Sequence, residues 1–186
     1  MQEKEHVLAV LMDVKKAARN EDIGKLKALS DMTIHTASIE QDSDNVIIAV
    51  IIYALSKLIE RKSRYMAKDY QAYIDHYTRM IDELIDSIKK NNSKMFQQHI
   101  KEMMSGRGRL SEHLRRTIED LFRKARINKA SKIYEHGLSM GTTAKLLDIS
   151  LWELAEYSGQ TGIADMPLTQ TMDVKKRLNI AMEIFS

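Results

Sequence analysis

A chain interrupted by one proline and seven glycines in 186 residues offers few places to break a helix. Proline removes a backbone donor and glycine costs ordering entropy, so their scarcity favours long helices with short connections. Apolar residues recur at helical spacing along most of the chain, and the expected fold class is all-α. The composition, 44% hydrophobic and 30% charged, is that of a globular chain rather than a disordered one. This length suits one large domain or two small ones.

The expected organisation is an N-terminal helical bundle over 1–104, serving assembly or a partner. A long basic helix, a helix-turn-helix and a docking tail helix follow over 107–186. Glu5 to Arg19 forms an amphipathic helix with Val7, Val10, Leu11, Val14 and Ala18 on one stripe. After a break at Asn20-Glu21-Asp22, Asp22 caps a second helix carrying Ile23, Leu26, Leu29 and Ile34 toward Ile39. His35 lies four residues after Asp31, a pairing read as a surface or bundle hydrogen bond rather than a metal or acid–base site. Val46 to Leu55 is β-branched enough for a strand. However, Ser56 to Lys62 continues it with a helical beat, and no other segment offers a strand partner. It is therefore expected as a central helix buried on nearly all sides.

Ser63 to Lys90 reads as a long helix with Tyr65 near its start, and Tyr70, Tyr73 and Tyr77, which could stack on bases, are read at that spacing as core or a helix–helix contact. Asn91-Asn92-Ser93 is a turn, and Lys94 to Met104 a short helix. Ser105 to Arg109 is the breaker cluster between the two halves. From Leu110 a helix runs through Leu114, Ile118, Leu121, Phe122 and Ala125 toward Ile133. Ser158 to Gly162 reads as a loop. Thr171 or Asp173 then caps a last helix with Val174, Leu178, Ala181, Met182 and Phe185 on one face.

Charge is unevenly placed although the total is only +3. Residues 1–100 balance 15 basic against 15 acidic side chains. Between 107 and 132, nine cations (Arg107, Arg109, Arg115, Arg116, Arg123, Lys124, Arg126, Lys129 and Lys132) face only Glu112, Glu119 and Asp120, a local net of +6. Such a stripe suits a polyanion, although a charge-rich helix is often simply a solvated face. The absence of cysteine excludes disulfides and thiolate metal sites. The start lacks a secretory signal and the most apolar run is too short to span a bilayer, so a cytoplasmic protein without membrane partners is expected. No activated nucleophile, phosphate-binding glycine motif or carboxylate–histidine cluster is evident in the order of residues. The chain is read as no enzyme, with no cofactor and no metal.

Ala130 to Tyr157 carries the functional signal. Ala144 permits a close helix crossing, Ser150 caps the following helix, and Leu146, Leu147, Ile149 and Leu154 fill the space between. Asp148 stands where such turns adopt a left-handed backbone. The segment KIYEHGLSMGTTAKLLDISLWELAEY resembles the helix-turn-helix of small prokaryotic, often archaeal, proteins regarded as antitoxins of PIN-domain toxins. Tyr134, Gly137, Ser139, Gly141, Ala144, Leu147, Ile149, Ser150, Trp152, Glu153 and Leu154 carry this resemblance, which nothing before Ala130 extends. It implies binding of double-stranded DNA and a toxin-like protein partner. Arg107 and His113 are also similar in spacing to the Arg-then-His of HEPN ribonucleases, but Gly108 departs from that pattern.

The second helix, Ser150 to Tyr157, holds two acids and no Lys or Arg, an awkward set for guanine or phosphate. Backbone contacts then fall to Thr142, Thr143 and Lys145 with the basic stripe, and Trp152 is a buried brace or an exposed contact. The expected protein is a DNA-binding transcription regulator or antitoxin-like protein, homodimeric because one corner makes few phosphate contacts. The alternatives are an all-helical protein–protein interaction module, or an RNA- or ribosome-associated protein using the same stripe.

Overall fold

The structure, a computed structural model, describes residues 4–40, 42–105, 112–135 and 137–161. Among these residues eight α-helices occur and no strand, so the fold is all-α. They are α1 Lys4–Arg19, α2 Ile23–Glu40, α3 Ser43–Glu60, α4 Ala67–Lys89, α5 Ser93–Ser105, α6 Glu112–Glu135, α7 Met140–Leu147 and α8 Leu151–Thr161. One turn of 3-10 helix, Lys62–Arg64, separates α3 from α4. Among the described residues no helix is long and apolar enough to cross a membrane. Arg107, Arg109 and the expected tail helix lie outside the described residues.

Three corners explain how so few glycines suffice. Glu21, Asn91 and Asp148 each take a left-handed backbone, with φ of 51°, 54° and 52°. Around each, two amides reach back to close the preceding helix. At the first corner Asp22 N–H donates to Ala17 O at 2.9 Å and Glu21 N–H to Ala18 O at 3.1 Å. Asn92 and Asn91 reach Ser87 and Ile88 in the same pattern, as do Ile149 and Asp148 to Ala144 and Lys145. This is the Schellman closure, which usually employs glycine at the left-handed position. A side-chain cap then opens the next helix: Asp22 Oδ1 accepts from Lys25 N–H at 2.8 Å, Asn92 Oδ1 from Met95 N–H at 3.0 Å, and Ser150 Oγ from Glu153 N–H at 3.1 Å.

A non-glycine left-handed residue carries a strain of about 1 kcal/mol, and Asp148 adds a carboxylate at the negative end of α7. Asp148→Gly is therefore expected to raise stability by about 0.5–1 kcal/mol, read as a higher urea midpoint with an unchanged slope. A midpoint at or below the parent's would show that the aspartate is not strained there.

Two expected boundaries need correction. Ser63 to Met66 is not part of α4: Arg61 ends α3, and Met66 is extended at the α4 N-cap. That break lets α4 turn back along α1 and sets Tyr65 edge-on to Tyr73 at 5.3 Å. Ser158 to Thr161, expected as loop, continues α8. A helix firmly capped at Ser150 tolerates Gly159 near its end for about 1 kcal/mol.

The core is built on α3. Its Ile48, Ile51, Ile52, Leu55 and Leu58 are fully buried, with α1, α2, α6 and α7 packed around it. Against α2 the approach is close enough for Ser30 Oγ to donate to Ala49 O at 2.7 Å. Thr33 and Ser38, also buried on α2, return their hydroxyls to the carbonyls of Leu29 and Ile34. Those local bonds satisfy polar groups that an apolar interface would otherwise strand. Tyr73 and Tyr77 of α4 are buried, and Tyr77 stacks on Phe122 of α6 at 6.1 Å. Core residues on both sides of 104–112 thus belong to one continuous cluster.

Candidate nucleic-acid interface

Helix α6 turns Leu114, Ile118, Phe122, Ala125 and Ile133 inward. That stripe orients the basic residues between them. Glu112 is forked by two arginines, Arg115 Nη2 at 2.6 Å and Arg116 Nε at 3.1 Å. Asp120 is forked likewise, by Lys124 Nζ at 2.6 Å and Arg123 Nη2 at 3.0 Å. Hydrogen bonds from Arg115 and then Arg116 hold the Glu112 carboxyl below its ordinary range, and Lys124 chiefly does the same for Asp120. Each fork retains one positive charge in excess. Exposed pairs at this spacing are weak and screened by salt, so a phosphate competes for them readily.

Lys129 is a correction. It falls on the inward stripe of α6 and is 1% exposed, with its Nζ 2.8 Å from Asp31 Oδ1 of α2. The same ammonium lies 4.5 Å from the centre of the Tyr53 ring. It is a buried, paired cation and no part of a solvent-facing stripe. Arg126 is partly withdrawn too. Its guanidinium donates to Asp148 O at 3.0 Å and to Met104 Sδ at 3.7 Å, bracing the left-handed turn against α6. Lys132 is half-buried.

The α7–α8 corner is closed at both helix starts. Ser139 Oγ caps α7 by accepting from Thr142 N–H at 3.2 Å. Ser150 and Glu153 cap α8 reciprocally, the Ser150 N–H donating to Glu153 Oε2 at 3.4 Å. Thr143, Ala144, Leu146, Leu147 and Leu154 are buried inside the corner. Thr143 departs from expectation too: a buried hydroxyl does not reach a backbone phosphate. Lys145 and Ser150 are exposed and Thr142 is half-buried. Leu151 is 55% exposed and Trp152 80%, so Trp152 is a surface residue at the α8 N-terminus and no internal brace.

Beside the corner a cleft of about 450 Å³ opens between α3, α6 and α8. Tyr53, Lys57 and Arg61 line it from α3 and its end, and Arg123, Lys124 and Asn128 from α6. Glu153 and Glu156 of α8 line the same cleft. The acids that make α8 an awkward reader of DNA therefore share a cleft with the protein's own cations. Lys57 and Arg61 escape a reading by charge runs because residues 1–100 balance to zero. Their signal was the local KLIERKSR sequence at the end of the central helix.

The described residues thus define an all-helical chain with a basic cleft beside an exposed, tryptophan-tipped corner. Comparison with protein-family models, curated proteins and solved structures returns no match.

Proposed function

We propose that the chain is a helix-turn-helix nucleic-acid-binding protein, a DNA-binding regulator or antitoxin-like protein acting as a dimer. In this reading α8 meets the duplex end-on, while Arg115, Arg116, Arg123 and Lys124 contact flanking phosphates. The observation that carries it is the corner itself, with a left-handed Asp148, a reciprocal Ser150–Glu153 cap and Trp152 standing in solvent. Recognition helices contact bases through their N-terminal residues, and an indole there can meet a thymine methyl or an unstacked base. Glu153 is engaged by its cap and shares a cleft with several cations, which lessens its repulsion of phosphate. The resemblance of residues 130–157 to PIN-associated antitoxins favours DNA as ligand and a toxin-like protein as partner.

A second reading rests on the same tip. Leu151 and Trp152 form an exposed apolar pair, and tryptophan at the centre of a surface patch is a common anchor for a protein partner. RNA would use the same cations as DNA.

Fluorescence anisotropy of duplex DNA and of RNA at low and moderate salt separates these readings. Affinity is expected to fall steeply with salt. Arg115→Glu with Arg116→Glu should weaken binding about 10-fold or more and lower the salt slope by about 2. Trp152→Ala should weaken binding and leave that slope unchanged. Unaltered affinity of the double arginine variant for both polymers sinks the nucleic-acid reading. Absence of binding to both polymers, with a co-purifying protein lost on Trp152→Ala, replaces it with the protein-partner reading.

A further inference from the structure

We propose that Glu83 of α4 with His99 and Glu102 of α5 forms a site for a first-row divalent metal ion, best suited to Zn²⁺, that staples these two helices together. The proposal is independent of the nucleic-acid reading. His99 and Glu102 share one face of α5 by their spacing, and the α4–α5 hairpin brings Glu83 opposite them. Glu83 Oε2 lies 3.2 Å from His99 Nδ1 and Glu102 Oε2 lies 3.8 Å from it. All three donor atoms fall within 4.8 Å of one another. Ligands of a four-coordinate zinc at about 2.0–2.2 Å are separated by roughly 3.4 Å, so modest carboxylate rotations would complete the geometry.

The imidazole supplies the second observation. His99 Nδ1 is shielded from solvent and makes no hydrogen bond of acceptable geometry, despite the two carboxylate oxygens beside it. Buried polar nitrogens ordinarily find a partner, and an ion between these groups would take this lone pair. The other oxygen of each carboxylate has a neighbour of its own. Gln98 Nε2 donates to Glu102 Oε1 at 2.9 Å, and Arg79 Nε lies 3.9 Å from Glu83 Oε1. Each Oε2 is thereby left toward His99, the kind of outer-partner orientation that metal-binding carboxylates show. Glu83 and Glu102 remain 35% and 38% exposed, leaving access for a water as fourth ligand. One imidazole with two carboxylates favours Zn²⁺ or Mn²⁺ over Mg²⁺ and Ca²⁺, which prefer all-oxygen shells. A staple has a use here, because α5 buries only Phe96, Ile100 and Met103.

The test is calorimetric titration of the chelator-treated full chain with ZnCl₂, MnCl₂ and MgCl₂, beside His99→Gln and Glu102→Gln. A single equivalent of Zn²⁺ is expected to bind, with affinity weakened at least ~10-fold in each variant. Saturating Zn²⁺ should raise the melting temperature of the parent and leave that of His99→Gln unmoved. The proposal is overturned by an absence of Zn²⁺ binding in the parent. It is equally overturned by parent-like Zn²⁺ affinity in either variant, or by Mn²⁺ or Mg²⁺ binding as tightly as Zn²⁺. Glu102 sits on the surface of α5, so its amide variant keeps the test sound even if His99→Gln folds poorly.

Discussion

Shortening Ile51 to alanine is expected to destabilise the fold by about 3–4 kcal/mol. Ile51 is fully buried, on the helix that α1, α2, α6 and α7 all pack against. With partners on so many sides, α3 has no free face into which neighbours can relax, and the cavity left behind stays largely open. The same helix bears Lys57, which lines the cleft, so loss of its packing reaches the candidate site as well as the core. Urea denaturation followed by far-UV circular dichroism measures this as a lowered midpoint with an unchanged slope. A change below about 1 kcal/mol would remove α3 from the centre of the molecule.

Asp31→Ala is expected to cost about 2–3 kcal/mol, because it strands the buried Lys129 ammonium beside the Tyr53 ring. Asp31 itself is half-exposed, which keeps the penalty at the lower end for a broken buried pair. In a Lys129→Met background the same aspartate substitution should cost almost nothing, since no charge then needs compensation. A double-mutant cycle reads the coupling directly, and its absence would contradict the pairing.

The pH dependence has a definite sign. Burial lowers the Lys129 pKa from its ordinary 10.5, while the bond to Asp31 opposes that shift. The unfolded chain therefore binds this proton more tightly than the folded one. The lysine's contribution to stability rises with pH between the depressed value and 10.5. Asp31→Ala deepens the depression, so its deficit should shrink as the solution is made more alkaline. Lys129→Met should abolish that part of the pH profile.

Much of the fold was legible in residue order because the signals are short-range. Sparse breakers and helical spacing mark the all-α class. Asp22 and Ser150 reveal their caps by type and position, and Asp148 its left-handed turn. Val46 to Leu55, ambiguous by β-propensity, resolves to helix through the beat of the residues after it. The tyrosines of α4 prove to be core, as their spacing implies. Lys129 could have been suspected, because it continues the inward stripe of Ile118, Phe122 and Ala125 on α6. Thr143 likewise sits beside the small Ala144 on the buried face of α7.

Other features were settled only by packing between distant segments. Lys129 is tolerated inside because Asp31, 98 residues away, meets it across the α2–α6 contact. Lys57 and Arg61 join Arg123 and Lys124 because α3 and α6 run side by side, and Glu153 and Glu156 join them because α8 lines the same cleft. Helical period and capping depend on neighbours a few positions away, so they survive in a linear reading. The solvation of a charge depends on what three-dimensional packing sets against it, and that decides which cations remain free to meet a ligand.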